Sequence, residues 1–322
     1  MSFFPELSNP LIAVIILVIA LILDILYPFH KGILLKIHPV HTCYVLAFKL
    51  VKPYASRIFG VLLWIFCVSV HVIPILILIN ITYAYTVNQL YAMLWIIMVS
   101  WILKTCFSIT LLVDIGLKVY RYSAIGDWSK ARYWTQQIVR RDVYVLDEEH
   151  VLSACIESLA ESLVDGIISP LFYYPFLGVV GALIQRLANT LDGAVGFKTK
   201  ELRDVGWFSA KMDTIINFIP ARLAAFYIIT SSLILKYDWR NALKVYLRDR
   251  RKTESVNAGH PMSAMAGALG IRLEKMGYYA LGDRRKPIDP LDVLKAVKVI
   301  IVSTSIHLVI IVTLTMLIPC QP

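Results

Sequence analysis

The run Glu157-Ser158-Leu159-Ala160-Glu161-Ser162-Leu163-Val164-Asp165-Gly166, continuing as Ile167-Ile168-Ser169-Pro170, sets a charged stretch directly against an apolar one. Read as a helix, it places Glu157, Glu161 and Asp165 at i, i+4 and i+8, three carboxylates on one face. Like charges at that spacing repel, so the face weakens its own helix unless a cation lies against it. At the edge of a membrane, such a face points to a metal ion or a cationic substrate group. A solvated helix face is the plainer alternative.

The surrounding chain supplies the membrane. Its 322 residues are 58% hydrophobic and 17% charged, with a mean hydropathy of +0.68. That is too apolar for an ordinary soluble protein of this size. The net charge of +10 fits basic loops on one side of a bilayer. Acidic and basic residues are interleaved, and no Lys/Arg tract carries interleaved aromatics, so nucleic-acid binding is not expected. The five cysteines, Cys43, Cys67, Cys106, Cys155 and Cys320, are scattered with no CxxC or Cys/His cluster. Neither a disulfide framework nor a zinc site is indicated. The first apolar run lacks a basic leader and a cleavage site, so it reads as a retained anchor.

The expected fold is all-α: one polytopic membrane-embedded domain over 1–322. Full spans are expected at about 11–28, 59–81, 91–113 and 297–318. Two shorter apolar stretches are broken: 167–184 by Pro170, Pro175, Gly178 and Gly181, and 214–236 by Pro220 and Arg222. Broken helices at membrane depth are tolerated where they line a cavity or are buried in protein. The basic segments 29–58, 114–166 and 237–296 are expected to be cytoplasmic, and Thr82–Leu90, which carries no Lys or Arg, outside. Residues 114–166 read as two or three amphipathic helices on the membrane surface, with Asp127 and Asp147 at helix starts. If 167–184 and 214–236 both cross fully, the basic stretch 185–213 falls outside, against the charge rule. Embedded or re-entrant segments would satisfy it. Asp24 and Lys104, inside apolar spans, must pair or reach an interface.

Three further polar clusters sit in or beside apolar surroundings: Asn189 with Asp192; Asp213 with Asn217 and Arg222; and Asn257-Ala258-Gly259-His260. Singly, each has a structural explanation. Asn189 would cap, Asp213 would start a helix and Arg222 would reach headgroups. Gly267–Gly270 would be close helix packing, His71 and His307 buried hydrogen-bonding residues, and Phe172-Tyr173-Tyr174 an interfacial belt. Jointly, the carboxylates and amides suit a hard cation such as Mg²⁺. Arg141 and Arg222 suit phosphate or carboxylate, which arginine grips bidentately. No Ser-His-Asp pattern favours acyl transfer by a triad.

In this order the clusters resemble the adenosylcobinamide-phosphate synthase family of cobalamin biosynthesis. The resemblance is carried by Asp24 with His38-Pro39-Val40, Ile138 to Asp142, Glu157 to Gly166, Asn189 to Asp192, Arg203 to Trp207, Asp213 to Arg222, and Asn257-Ala258-Gly259 with Gly267 to Gly270. It implies a multi-pass cell-membrane enzyme with its site facing the cytoplasm. That enzyme would join adenosylcobyric acid to the amine of (R)-1-amino-2-propanol phosphate or an analogue, as an amide, with ATP and Mg²⁺. Corrinoid and aminoalcohol phosphate would be the ligands, in contact with membrane lipid and with other membrane enzymes of the pathway as associates. On this reading Glu157, Glu161, Asp165 and Asp213 are catalytic. Asn189, Asn217, Arg222, Arg141 and Asn257 bind substrate, and Glu161, Asp165 and Asp192 hold metal. A transporter, or a non-catalytic scaffold or sensor, is the competing class, since charged residues in broken spans are also what transporters show.

Overall fold

A computed structural model describes residues 4–318; Cys320 lies outside them. The helices, in chain order, are α1 (Pro10–Leu26), α2 (Gly32–Lys36), α3 (Pro39–Leu50), α4 (Arg57–Tyr83), α5 (Gln89–Lys104), α6 (Ile109–Ala124) and α7 (Trp128–Gln136). They continue as α8 (Glu148–Leu163), α9 (Ser169–Val195), α10 (Trp207–Ile216), α11 (Phe218–Ile234), α12 (Trp239–Asp249), α13 (Gly259–Leu269) and α14 (Pro290–Leu317). A two-stranded antiparallel hairpin, β1 (Leu273–Lys275) and β2 (Tyr279–Leu281), pairs Leu273 with Leu281.

The protein is an all-α polytopic membrane protein. Three helical stretches, Arg57–Tyr83, Glu148–Val195 and Pro290–Leu317, are long and apolar enough to cross a bilayer. The count rises to five if the pairs α5–α6 and α10–α11 each make one broken span. The starts follow local chemistry. Asn9 caps α1 by accepting from Leu11 N at 2.9 Å, with Pro10 opening the helix. Asp147 caps α8 by accepting from His150 N at 2.9 Å, and Asp127 caps α7, accepting from Lys130 N at 3.1 Å, as expected.

The described chain divides into two compact units. The first comprises Met1–Ser108, Ser169–Ile216 and Val309–Pro322. Within it α1 packs along α5, and α9 packs on α3, α4, α5 and α10. Two close approaches define it. A Cβ on Gly60 of α4 would lie 2.0 Å from the Val205 carbonyl oxygen, so α4 meets main chain there. The other is a break in α9 at Leu177 and Gly178, where Gly178 takes φ +58. The freed N–H of Val179 donates to Glu6 Oε1 at 2.9 Å, and a Cβ on Gly178 would sit 2.1 Å from that oxygen.

The second unit comprises Ile109–Ile168 and Asn217–Leu308. Its hub is α13, a helix of small residues that packs on α8, α11 and α12. A Cβ on Gly267 would meet Asn241 O at 2.6 Å, so α12 lies directly on the α13 backbone. Gly270 ends α13 at φ +65, the usual left-handed terminator. Gly267 and Gly270 thus serve helix packing and termination. The hairpin is fastened to α12 by Asp249, which is fully buried. Asp249 accepts from Arg248 twice at 2.8 Å, from Lys252 at 2.6 Å and from Gly282 N at 2.8 Å. Burial alone would raise its pKa, but these hydrogen bonds prevail and hold it at about 2.

Several sequence expectations are corrected. The span expected at 91–113 is two helices, because α5 stops at Lys104 where Thr105 Oγ1 turns back to Ile102 O at 2.7 Å. The apolar stretch 167–184 is the front of a longer helix. Residues 185–195, expected in a connecting segment, continue α9 because Leu187, Ala188, Leu191, Ala194 and Val195 bury one face. The stretch 214–236 is divided at Asn217 between α10 and α11. Helix α8 does not lie on a surface: Val151 to Ile156, Leu159, Ala160 and Leu163 are all buried. Tyr174 is no interfacial residue; it is buried with its hydroxyl donated to Ala13 O at 2.7 Å. Asn189 and Asp213 lie inside helices and do not cap or start them.

Gly60→Ala forces the main chain at 205 to move. It should cost about 1–3 kcal/mol, typical of overpacking. Gly166→Ala meets nothing within 4 Å and should leave stability unchanged. Thermal unfolding of the two variants in detergent compares them directly.

Candidate functional site

The opening acidic run lies in the second unit, and its three carboxylates differ. Glu157 is 5% exposed, Asp165 is half-buried, and Glu161 is exposed. Asp165 falls in a π-helical turn, Val164–Ile168, at the end of α8. Such a turn adds a residue to the helical repeat, so Asp165 leaves the strict i+8 register of the face. Single-turn π insertions often mark functional sites.

A protein cation already stands against Glu157. Arg141 Nη2 donates to Glu157 Oε1 at 3.2 Å, and Ser153 Oγ donates to the same oxygen at 2.7 Å. The Tyr279 hydroxyl donates to Oε2 at 2.7 Å. Three segments therefore converge on one buried carboxylate: the α7–α8 loop, α8 itself and β2. The loop is shaped by Gln136, whose Nε2 donates to Val139 O and Arg141 O and whose Oε1 accepts from Val143 N. The hairpin is registered by Glu274 N, which donates to Ser153 Oγ at 2.9 Å. Burial first, then the charge and hydrogen bond of Glu157 and the charge of Glu161, push the Tyr279 phenol well up. It stays protonated and remains a donor. Arg141 Nε is buried without a hydrogen-bond partner among the described residues. An unused guanidinium donor in that position suits a phosphate or carboxylate oxygen.

Two further pairs join predicted residues in this unit. Asn217 Nδ2 donates to Asp165 Oδ1 at 3.2 Å. Arg222 Nη1 donates to Asn257 Oδ1 at 3.3 Å, while its guanidinium lies over the Phe218 ring, 3.3 Å from the centroid. Beside Asn257, His260 is 6% exposed, with Nδ1 3.1 Å from the Tyr246 hydroxyl. Burial, then the charges of Arg222, Arg250 and Arg251, depress His260 to about 4. In the first unit, Asn189 Nδ2 donates to Asp213 Oδ1, and Arg186 Nη1 donates to Asn189 Oδ1, both at 3.1 Å. Asp192 lies over Gly196, where a Cβ would fall 2.1 Å from its Oδ1.

Among the described residues, no three His, Cys, Asp or Glu side chains are grouped to hold a metal ion. An all-protein cage is therefore lacking, but Mg²⁺ is commonly held by one or two carboxylates together with substrate phosphates. Glu161, Asp165 and Asn217 are oxygen donors of the kind that such a site takes.

The model of the CobD/Cbib protein family matches residues 17–300 of the chain. The chain belongs to the CobD/Cbib family. A family relative from Aeropyrum pernix, a "probable cobalamin biosynthesis protein CobD", is 44% identical over 293 residues, 91% of this chain and 90% of its own. One of the same name from Methanothermobacter thermautotrophicus is 38% identical over 243 residues, 76% of this chain and 78% of its own. The "cobalamin biosynthesis protein CobD" of Clostridium perfringens is 43% identical over 198 residues, 59% of this chain and 63% of its own. No solved structure matches.

For this CobD/Cbib chain, sequence reasoning missed Tyr279, Ser153 and Tyr246. Ser153 had a signal: it lies four residues before Glu157, on the same helix face. Tyr279 had only Gly277, which takes φ +77 at the hairpin turn.

Arg141→Ala leaves Glu157 buried without its cation and should cost about 3 kcal/mol. In a Glu157→Gln background the loss should shrink by about 1–3 kcal/mol, a difference that a double-mutant cycle of unfolding free energies measures. His260 sets a pH dependence. Its folded pKa of about 4 lies below the ordinary value of about 6.5, so the folded state binds fewer protons between the two. Its contribution is whole above pH 6.5 and is lost as pH falls toward 4. His260→Gln should flatten the melting temperature over that window, relative to the unaltered chain.

Proposed function

We propose that this protein acts in cobalamin biosynthesis, forming the amide bond between adenosylcobyric acid and (R)-1-amino-2-propanol phosphate or a close analogue. The observation that carries the reading is the half-buried Arg141, whose buried Nε is unused, beside Glu157, where Glu161 also acts on Tyr279. The names of the family relatives point to the same pathway. In this reading Arg141 grips the phosphate or carboxylate of a substrate, held in place by Glu157, which Ser153 and Tyr279 fix in turn. The substrate carboxylate has to be activated first by ATP, as an acyl phosphate whose phosphate leaves when the amine attacks. That amine must be neutral, so a carboxylate has to take its proton. Exposed Glu161 and half-buried Asp165 are the groups placed for that, with Asn217 fixing the Asp165 carboxylate. Arg222 and Asn257 form a second polar grip for substrate. ATP and Mg²⁺ would be held by Glu161 and Asp165, the metal supplying charge neutralisation for phosphate oxygens. The site would face the cytoplasm, on the side of the basic segments.

The test is purified protein in detergent with adenosylcobyric acid, aminopropanol phosphate, ATP and Mg²⁺, read by mass spectrometry. The amide should appear, and Asp165→Asn or Glu161→Gln should slow it about 100-fold, the scale of a lost general base. Product formation unaffected by both variants would remove these residues from the site. Vesicle uptake of corrinoid without amide formation would move the protein to transport.

A further inference from the structure

Helix α12 of the second unit has two unlike sides. Asn241, Ala242, Val245 and Asp249 are buried, and that side lies against α13. Arg240, Leu243, Lys244 and Leu247 are exposed. They stand at i, i+3, i+4 and i+7, one stripe along the opposite side. A single exposed leucine is ordinary. Here two of them, 39% and 56% exposed, alternate with cations along the same stripe. Helices that rest in a membrane interface combine residues in this way.

The cations of the stripe are not spent inside the protein. Among the described residues, neither Arg240 nor Lys244 makes an ion pair. The Arg240 guanidinium lies over the Trp239 ring, 5.5 Å from its centroid. The neighbouring carboxylates are engaged elsewhere. Asp238 pairs with Arg285 and Asp283 with Arg248, both at 2.9 Å. The buried Asp249 takes Arg248 and Lys252. From Lys236 to Glu254 the chain carries seven Lys or Arg against three Asp or Glu, so the whole segment is basic.

The preceding helix brings this stripe to the bilayer. Helix α11 belongs to the apolar pair α10–α11, long enough together to make one broken span. Phe226, Leu233 and Ile234 stand exposed on it. The chain leaves α11 by a tight turn, with Lys236 N donating to Leu233 O at 3.1 Å and Tyr237 N to Ser232 O at 2.7 Å. Asp238 then caps α12, accepting from Asn241 N at 2.9 Å. Trp239 is five residues past Ile234. At no more than about 3.6 Å per residue, α12 starts within about 18 Å of the end of α11. Tyr237 and Trp239, at that junction, are residue types that settle at headgroup level. Water alone gives Leu243 and Leu247 no favourable contact between the cations. An anionic headgroup layer suits both kinds of residue, with phosphates for the cations and the upper acyl carbons for the leucines.

We propose that the outer stripe of α12 docks on the headgroups of anionic membrane lipid. Arg240 and Lys244 hold the phosphates, and Leu243 and Leu247 enter the acyl boundary. The surface uses no residue of the amide-forming reading.

The test is native mass spectrometry of the full chain in detergent, titrated with phosphatidylglycerol or with phosphatidylcholine. Each cation at an anionic surface is worth about fivefold, so phosphatidylglycerol should bind about 10–30-fold more tightly. Arg240→Gln combined with Lys244→Gln should bring it close to phosphatidylcholine. Arg240→Lys combined with Lys244→Arg keeps the charge and should bind as the unaltered chain does. Leu243→Ser combined with Leu247→Ser should weaken both lipids. All these substitutions lie on the exposed side, so the packing of α12 on α13 is kept. Equal binding of the two lipids by the unaltered chain, or an unchanged preference in the Gln double variant, overturns the proposal. Glycerophosphoglycerol, the headgroup without its chains, should compete poorly; competition as strong as that of the whole lipid overturns it too. Tight binding of polyglutamate with no lipid preference would give the stripe to an acidic protein and likewise overturn it. Glu161→Gln should lose amide formation yet keep the lipid preference, so the two readings fail separately.

Discussion

The second unit depends on one buried carboxylate. Glu157 accepts from Arg141, Ser153 and Tyr279, and those donors come from a loop, the helix itself and a hairpin. An ionised group is tolerated at that depth because its charge is paired and both oxygens are hydrogen-bonded. The same arrangement turns a repulsive acidic face into a graded one. Its inner member is neutralised by protein, and its outer members, Glu161 and Asp165, lie nearer the surface. The cation that such a face calls for is thus partly internal.

In the first unit Arg57 pairs with Asp204, and Arg186 donates to Asn189, which in turn donates to Asp213. In the second unit, the buried His260 is neutral because removing it from water penalises the charged form.

Much of this was legible in the residues. Asp127 and Asp147 announced helix starts, Gly178 announced a break, and Gly267 with Gly270 announced close packing. These signals are local, and so they survive folding. The pairings Asp165–Asn217 and Arg222–Asn257 joined residues already singled out for their chemistry. What could not be read was long-range. Tyr279 reaches Glu157 across 122 positions, and no local pattern marks a tyrosine in a three-residue strand as a partner for a helix. The continuation of α9 through Arg186 and Asp192 was hidden because its polar residues share a helix with a buried apolar stripe. The π turn at Asp165 is likewise invisible to a strict helical count.

The break in α9 has a consequence for how the chain matures. Val179 N–H finds its acceptor in Glu6, 173 positions earlier. Until that contact closes, α9 holds an amide with no partner in an apolar setting, which is unfavourable. Closing so long a loop is entropically demanding, and contacts of that separation form slowly. The first unit is thus completed late. Its opening segment has to wait, already synthesised, while more than half of the chain emerges. Only then does the returning helix receive the carboxyl that caps its second half.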